Sequence, residues 1–378
     1  MNQSTPSPYQ KRASMDKNYN IAGIQQIGIG VENFAEAWNY YIDVFQADIR
    51  ILEDDTVAEL MLPYTGGKPQ KRHAAIAINM QGGGGFEIWQ YSDRKPEPVG
   101  FEIQAGDLGL LVAKIKSRDV EKTYQLFSSK PNVHILGGLA DTIDGDKTFF
   151  IRDPFGNIFQ IVHEPSLFRD EKQLTGGIAG AMIGVTDMER AMTVYRDILG
   201  YDTILADETG TFDDLKALPS GEGRFRRRLL THSKPRKGAL SELLGKSYIE
   251  LVQAIDRIPR KIYEGRYWGD PGFIQICFDI TNMDALRDSC AAMGHPFTVD
   301  TTQKYKEGSS FDMGEAAGQF AYIEDPDGTL IEFVETHKIP IMKKLNLSLD
   351  LRKRDPEKPL PRWMLGMLRF MRVKPESL

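Results

Sequence analysis

Three arginines alternate along a segment that has the composition of a β-strand. They are Arg224, Arg226 and Arg228. Because side chains on a strand alternate between its two faces, these three share one face of the predicted strand. Guanidinium groups bind carboxylates and phosphates through paired hydrogen bonds. The spacing therefore predicts either a site for the anionic part of a small molecule, such as a coenzyme A or nucleotide tail, or a solvated edge strand protected by its charge.

Two aromatic rings share a face with a carboxylate earlier in the chain. Glu87, Trp89 and Tyr91 occupy alternate positions of one predicted strand, so their side chains lie on the same side of it. The pattern predicts an aromatic wall that contacts a ligand next to the carboxylate. Ordinary packing of both rings in the core is the alternative interpretation.

The composition limits the class of protein. The chain has 378 residues with 41% hydrophobic side chains, which indicates two or three folded domains with a large core. Two cysteines, Cys277 and Cys290, are too few for a disulfide scaffold or a cysteine-rich metal module. We expect both to be buried thiols.

Residues 1–19 are predicted to be a polar leader without the apolar segment of a secretion signal. No apolar run is long enough to span a bilayer. A cytoplasmic location is therefore expected.

The charge is distributed unevenly along the chain. Residues 343–378 contain 10 Lys and Arg against 4 Asp and Glu, a net charge of +6, which leaves −12 for the rest of the net −6 chain. An acidic body argues against binding of nucleic acid. The basic, apolar tail (residues 339–378) is predicted to dock on this body or on another protomer of a homodimer; contact with an anionic membrane surface and disorder are the alternatives. A monomer is equally compatible with the sequence.

The sequence repeats itself at a slowly growing offset. An offset of 154 relates residues 29–34 to 183–188 and Tyr41 to Tyr195, and an offset of 172 relates the Asp-Pro-x-Gly turns at 153–156 and 325–328. The offset grows in this way when the chain contains two copies of one fold and the second copy has longer loops. Longer loops are tolerated because they change the free energy of folding only a little.

Each copy is itself doubled. A β-rich run is followed by a helix with one apolar stripe and then by three further strand segments, which makes four β-α-β-β-β units in two modules, residues 20–166 and 177–338. Asn33, Asp187 and Asn282 are the predicted N-caps of three of these helices. The predicted fold class is α+β with curved mixed sheets.

Four such units resemble the vicinal oxygen chelate superfamily. The openings, such as Ile-Gly-Ile-Gly-Val at residues 27–31, and the endings, such as Asp-Pro-Asp-Gly-Thr-Leu-Ile-Glu-Phe at residues 325–333, carry the resemblance. That superfamily includes glyoxalase I, methylmalonyl-CoA epimerase, extradiol dioxygenases and bleomycin-resistance proteins. The resemblance implies that two units form a U-shaped cup, and that the first and last strands of each unit direct one ligand each toward a divalent metal.

The resemblance places two candidate positions in each unit. In order along the chain, the pairs are Gln26 and Glu87, Leu110 and Gln160, Gly180 and Glu250, and Gln275 and Glu332. Members of the superfamily pair units either within one module or across modules. Pairing the first unit with the fourth concentrates the oxygen ligands in one cup and leaves the other cup with too few.

The metal site implied by this pairing consists of Gln26, Glu87, Gln275 and Glu332. The set is similar to that of glyoxalase I, except that Gln275 stands where a histidine is expected. Carboxylate and amide ligands without imidazole favour Mg²⁺ or Mn²⁺ over Zn²⁺. The alternative is that these side chains line a wet cup that binds no metal.

The resemblance implies a lyase or isomerase that acts next to a carbonyl of a small substrate. Glu332 is the first candidate for the general base and Glu87 the second. A metal-free protein that binds a small ligand, of the bleomycin-resistance type, and a partner-binding protein that uses the tail are the alternatives. Dioxygenase chemistry of the hydroxyphenylpyruvate type requires iron on two histidines and one carboxylate, and the corresponding residues here are Gly180, Gln275 and Glu332. We therefore consider it the weakest alternative.

Overall fold

The computed structural model describes residues 17–303, 311–313, 316–342 and 347–375. Nearly all of the predicted polar leader (residues 1–19) therefore lies outside the described residues, as do parts of the fourth unit and of the tail.

The first module contains two units with the same order of elements. The first unit consists of β1 (Asn20–Gly30), α1 (Phe34–Phe45), β2 (Ile49–Val57), β3 (Lys71–Ile78) and β4 (Gly85–Tyr91). The second consists of β5 (Gly109–Ser117), α2 (Val120–Ser128), β6 (His134–Asp141), β7 (Lys147–Arg152) and β8 (Ile158–His163). The predicted strand-helix-three-strand order is thus present in both units.

The second module repeats this order with longer connections. Its first unit consists of β9 (Thr175–Gly184), α3 (Met188–Met192), β10 (Thr203–Gly210), β11 (Phe225–Thr231), the short α4 (Ser241–Leu244) and β12 (Tyr248–Ala254). Its second consists of β13 (Gly272–Thr281), α5 (Met283–Ala292), β14 (Val299–Asp300), β15 (Phe311–Met313), β16 (Ala316–Glu324) and β17 (Leu330–Met342). The tail adds β18 (Leu347–Asp350) and α6 (Arg362–Gly366), which a 3₁₀ turn at Met367–Met371 extends.

The strands form two sheets, and each sheet joins units from different modules. Sheet A has the order β14-β16-β17-β13-β1-β4-β3-β2 and combines the fourth unit with the first. Sheet B has the order β10-β11-β12-β9-β5-β8-β7-β6 and combines the third unit with the second. In both sheets the first strands of the two units pair antiparallel at the centre, as β1 with β13 and β5 with β9. Each cup is therefore built from both modules.

The helices begin at the predicted caps. The side chains of Asn33, Asp187 and Asn282 accept hydrogen bonds from backbone N–H groups in the first turns of α1, α3 and α5. Asp119 caps α2 in the same way. These side chains satisfy N–H groups that have no partner within the helix, which explains why the four helices start at equivalent positions of the four units.

Each module is joined internally by the same tyrosine–aspartate hydrogen bond. Tyr41 on α1 donates to Asp153 at 2.7 Å, and Tyr195, its counterpart in the repeat, donates to Asp325 at 2.8 Å. Burial raises the pKa of both aspartates to about 6. The acceptors belong to the Asp-Pro-x-Gly turns of the second and fourth units. Within each module, the helix of the first unit thus contacts the second unit. The sheets, in contrast, join a unit of one module to a unit of the other.

A glycine-rich turn brings the two sheets into contact. Gly84 and Ile178 of β9 exchange two backbone hydrogen bonds of 2.8 Å. Gly83 has a φ of +106°, and a Cβ there would lie 2.9 Å from the backbone of Gly177. Only glycine permits this backbone conformation and this approach. The turn of residues 82–85 is therefore a structural junction, consistent with its position between two strands.

The C-terminal tail packs on the body of the chain. Leu360 and Leu365 are buried in an apolar cluster with Ile49, Ile78 and Met80 of the first unit. Arg372 forms ion pairs with Asp48 and Glu171, which matches the expected attraction between a basic tail and an acidic body. The predicted docking is thus observed for the described part of the tail, and it covers one end of the face of sheet A.

Both cysteines are buried and free, as expected. Among the described residues, no helix combines the length and apolar character needed to cross a membrane.

Substitution of Leu365 by Ala tests the tail contact. Leu365 is 3% exposed, so Leu365→Ala should lower the free energy of unfolding by about 2–4 kcal/mol, as for other buried leucines. Trp363, two residues earlier and 65% exposed, provides the matched control, because Trp363→Ala should change it by less than about 0.5 kcal/mol. Urea unfolding followed by circular dichroism measures both, and equal effects of the two substitutions would contradict docking.

Candidate active site

The centre of sheet A carries a group of polar side chains on one face. Gly28 of β1 lies opposite Glu87 of β4 on one side and opposite Gln275 of β13 on the other. Gln26, two residues before Gly28, shares that face. A Cβ at position 28 would lie 2.6 Å from the Gln275 amide, so the glycine leaves the space that this amide occupies.

Hydrogen bonds connect these side chains to Glu332 of β17. The Gln275 amide nitrogen donates to Glu87 Oε2 at 2.8 Å and to Glu332 Oε2 at 3.4 Å. The Gln26 amide nitrogen also donates to Glu87 Oε2, at 3.4 Å. Gln26, Gln275 and Glu332 are buried, and Glu87 is partly buried. The structure thus brings together the four residues that pairing of the first and fourth units predicts; their role as metal ligands stays a prediction.

The two carboxylates are buried next to each other. Among the described residues, neither Glu87 nor Glu332 forms an ion pair. Burial, reinforced by repulsion from Glu87, raises the pKa of Glu332 from 4.5 to about 8. Burial also raises the pKa of Glu87, although the nearby Arg72 partly opposes the rise. Two like charges at this separation strongly repel each other, so the pair holds a proton at neutral pH unless a cation compensates it.

The chemistry of the donors fits a hard divalent cation. The two carboxylates lie on this face, and Gln26 Oε1 is buried without a hydrogen-bond partner among the described residues, while the Gln26 amide nitrogen contacts Glu87. An amide oxygen can accept from a donor or ligate a cation, so this unsatisfied oxygen marks a position where one is missing. The described part of the chain has no cluster of three or more His, Cys, Asp or Glu side chains arranged for a metal. A cation here would therefore depend on amide oxygen.

Gln275 directs its amide nitrogen to the carboxylates, as Gln26 does toward Glu87. The Gln275 amide oxygen accepts a 2.9 Å hydrogen bond from the indole nitrogen of Trp268. An amide N–H group is a donor and does not bind cations. In this arrangement Glu87 and Glu332 present oxygen to the centre of the site, and both amides present N–H.

An aromatic cluster closes one end of the site. Trp89 and Tyr91 are buried with Trp268 and Tyr322. The Trp89 and Trp268 rings pack edge to face with centroids 4.7 Å apart, and the Tyr91 hydroxyl donates to the Trp268 backbone carbonyl. The packing interpretation is confirmed, because both rings are packed against protein on the face of Glu87; their contact with a ligand stays a prediction. Trp268 comes from the connection between β12 and β13, a position that strand periodicity did not identify.

A cavity of about 440 Å³ lies beside this aromatic cluster. Its wall includes Tyr64, Lys261, Tyr263, Trp268 and Phe273, so it combines aromatic surface with the exposed ammonium group of Lys261. The two carboxylates of the polar group do not line it. Trp268 contacts both the cavity and the polar group, through its ring and its indole N–H respectively.

The corresponding face of sheet B holds a buried ion network. Glu250 of β12 accepts from Lys114 at 2.7 Å and from Arg227 at 2.5 Å, and Arg227 also forms paired hydrogen bonds with Asp214. Lys114 donates in addition to Gln160. The two cations lower the pKa of Glu250 to about 2 against the effect of its burial. Side chains of the chain itself thus supply positive charge in this cup.

The predicted arginine site has a different geometry. Arg226 and Arg228 face away from the cup and form ion pairs with Asp207 and Glu189, while Arg224 is exposed. The guanidinium that enters the cup is that of Arg227, which shares its face with Phe225 and Leu229. The edge-strand interpretation is wrong, because β11 lies between β10 and β12 in sheet B; the neighbouring carboxylates neutralise the charges of Arg226 and Arg228.

The predicted position in the second unit is corrected by the strand register. Lys114 of β5 lies beside Gln160 as Gly28 lies beside Glu87, so the counterpart of Gln26 is Val112 and not Leu110. Leu110 packs in the main core on the opposite face. A β-bulge between Leu110 and Val112 shifts the register here. Lys114, which directly follows the apolar residues 110–113, was the sequence signal for the buried ion pair.

The sequence matches the profile of the Glyoxalase/Bleomycin resistance protein/Dioxygenase superfamily over residues 23–161 and 177–333. These two segments cover most of the chain and coincide with the two modules. The chain belongs to this superfamily.

Solved structures show the same fold at low sequence identity. Similar structures include a mutant of glyoxalase I from Zea mays, with a TM-score of 0.51 and 15% identity over 84% of this chain and 94% of that one. A putative dioxygenase from Bacillus subtilis has a TM-score of 0.50 and 13% identity over 95% of this chain and 99% of that one. No curated protein matches the sequence significantly. These likenesses establish the fold and leave the activity to the site itself.

The raised pKa of Glu332 predicts a pH-dependent stability. Between pH 4.5 and about 8 the unfolded chain ionises Glu332 and the folded chain does not, so the folded state binds more protons and loses stability as the pH rises. Glu332→Gln removes this titration. Without divalent cations, wild type should therefore lose stability relative to Glu332→Gln across this range. Thermal unfolding at a series of pH values in a chelating buffer measures it, with the exposed Glu36→Gln as control, and parallel curves would contradict a raised pKa.

Two neighbouring arginines test the network in sheet B. Arg227→Met leaves Asp214 and Glu250 buried without their guanidinium, so it should lower the free energy of unfolding by about 3–5 kcal/mol. Arg226→Met removes only a partly exposed ion pair and should lower it by about 1 kcal/mol or less. Urea unfolding distinguishes them, and a similar loss for both would show that the two side chains do not face opposite sides of β11.

Proposed function

We propose that this chain is a divalent-cation-dependent lyase or isomerase of the glyoxalase type, which moves a proton next to a carbonyl of a small substrate. The observation that carries the proposal is the buried pair of Glu87 and Glu332 at the centre of sheet A. A pair of this kind is typical of sites that move protons, because burial keeps a carboxylate basic at neutral pH.

Gln26, Glu87 and Glu332 are the residues that would hold the cation, and Mg²⁺ or Mn²⁺ suits their oxygen ligands. A divalent cation at this position would act as a Lewis acid toward a carbonyl oxygen of the substrate. The identity of these ligands follows from the unsatisfied oxygen of Gln26 and from the position of both carboxylates on the same face.

Glu332 is the residue that we assign as general base. Glu332 would act as base while detached from the cation, because its pKa is raised by burial and by Glu87 and ligation of a cation opposes that rise. It would take the proton from the carbon next to the carbonyl and return it to the product, so that the overall reaction is a proton shift within the substrate. Glu87 is the second candidate, and its closer hydrogen bond to Gln275 keeps it oriented.

The surroundings of the site support a small substrate. The cavity of about 440 Å³ beside Trp268 lies toward the lower end of the usual range for ligand pockets. Its wall carries the cations Lys261 and Arg266 and the carboxylates Glu264, Glu324 and Asp327. The aromatic wall favours a substrate with an apolar part, and Lys261 and Arg266 are the groups that could bind an anionic part.

Two coverings limit the access of water to the site, in which Glu332 is buried and Glu87 is partly buried. Trp268 lies at one end of the polar group, and the tail covers the other end of the same face. Exclusion of water strengthens every electrostatic interaction between the site and a bound substrate.

A metal-free small-molecule binding protein is the second candidate. The orientation of the Gln275 amide favours it, because the nitrogen satisfies both carboxylates without a cation. Dioxygenase chemistry gains no support from the geometry, since Gly180 lies in sheet B and Gln275 and Glu332 lie in sheet A.

Titration with Mn²⁺ distinguishes these candidates. The proposal predicts one bound Mn²⁺ per chain by electron paramagnetic resonance and an affinity at least about tenfold lower in Glu332→Gln. It also predicts Mn²⁺-dependent exchange of protons next to the carbonyl in a panel of small anionic carbonyl compounds, followed by NMR in D₂O. Glu332→Gln should slow this exchange by about 100-fold or more, and Glu36→Gln should not.

A different result would contradict the enzyme proposal. If Mn²⁺ does not bind, and members of the same panel stabilise the protein thermally in the presence of a chelator, the chain is a metal-free small-molecule binding protein.

A further inference from the structure

Trp268 occupies a position between the cavity and the polar group. Its side chain is 6% exposed, lines the cavity and donates its indole N–H to Gln275 Oε1 at 2.9 Å. Its backbone is tied to the first unit, because its N–H donates to the Tyr64 carbonyl and its carbonyl accepts from the Tyr91 hydroxyl. No other described side chain contacts the cavity and hydrogen-bonds to the polar group.

The hydrogen bond from Trp268 determines which end of the Gln275 amide faces the carboxylates. An indole N–H is only a donor, so its partner must be the amide oxygen. The amide nitrogen is then directed to Glu87 and Glu332, at 2.8 and 3.4 Å. If the indole withdrew, the same amide could rotate and direct its oxygen to the carboxylates, where it would add an oxygen ligand to those of Glu87 and Glu332.

The segment around Trp268 contains residues that can absorb a rotation of the chain. Gly265, Gly269 and Gly272 have φ values of +73°, +96° and +122°, a region that glycine enters without strain. Gly269 also packs directly against Trp89, where a Cβ would lie 2.1 Å from the ring. Backbone changes at such positions commonly permit a segment to move as a unit.

We propose that Trp268 is a positioning residue that holds Gln275 in its non-ligating orientation, and that withdrawal of the indole toward the cavity converts Gln275 into a cation ligand. The inference rests on the proposed function, because it concerns the affinity of the same site for a divalent cation. A substrate that enters the cavity and displaces Trp268 would release the Gln275 oxygen and so increase this affinity.

Trp268→Phe provides the direct test. Phenylalanine retains an aromatic ring and removes the N–H group, so Gln275 is free to rotate. Because a hydrogen bond of this kind stabilises one orientation by roughly 1 kcal/mol net, Trp268→Phe should lower the Kd of Mn²⁺ by about three- to tenfold. Electron paramagnetic resonance of free Mn²⁺ measures this without any activity assay. Trp363→Phe, at an exposed position of the tail, is the matched control and should leave the Kd unchanged.

A double-mutant cycle shows whether the gain passes through Gln275. In a Gln275→Leu background the amide is absent, so Trp268→Phe should no longer change the Kd. Tyr91→Phe supplies a second, milder variant that loosens the backbone of Trp268 and should lower the Kd in the same direction. Circular dichroism and thermal unfolding confirm that each variant is folded.

The outcomes separate this inference from the proposed function. If wild type binds Mn²⁺ and Trp268→Phe has the same or a higher Kd, the positioning role is overturned and the proposed function stands. The positioning role is also overturned if the gain persists with Gln275→Leu. If neither wild type nor Trp268→Phe binds Mn²⁺, both proposals fall together.

Discussion

Uncompensated negative charge at the centre of sheet A is the constraint on which the rest of the site depends. Burial of a carboxylate is strongly unfavourable unless it is protonated, hydrogen-bonded or paired with a cation, and Glu87 and Glu332 meet this requirement side by side. The amides of Gln26 and Gln275 supply hydrogen bonds but no charge. A proton or a divalent cation therefore has to complete the site, and both possibilities are the basis of proton-transfer chemistry next to a carbonyl.

Sheet B differs from sheet A in how the charge of its cup glutamate is neutralised. The two sheets arose on the same duplicated plan, with the first strands of two units paired at the centre, and each has a glutamate on the cup face. In sheet B, Lys114 and Arg227 neutralise Glu250, so that cup needs nothing from outside. In sheet A, among the described residues, Glu87 and Glu332 form no ion pair. The repeated plan therefore gives one cup with an internal ion network and one cup whose carboxylates lack such a network.

The sequence predicted those parts of the structure that depend on local periodicity. Repeats predicted the four units, and the resemblance to the superfamily indicated Gln26, Glu87, Gln275 and Glu332 as positions that face one cup. Three features were not predicted from the sequence, because they depend on irregular structure or on residues far apart in the chain. A β-bulge displaced Leu110, the choice between Arg226 and Arg227 turned on one residue of register, and Trp268 enters from a connection without periodicity.

Glu87 is partly buried and Glu332 is buried, so a substrate that reaches Glu332 would displace one of two coverings. Displacement of the tail would expose Leu360, Leu365 and their partners, and each buried apolar side chain contributes about 1.5–3 kcal/mol. Displacement of the Trp268 segment would break a few hydrogen bonds worth about 1 kcal/mol each and the edge-to-face packing of the indole on Trp89 and Tyr322, while the indole could remain within the cavity instead of entering water. The glycines around Trp268 reduce the backbone strain of such a movement. The proposed positioning role of Trp268 therefore makes the cavity, the aromatic cluster and the orientation of Gln275 parts of one functional unit.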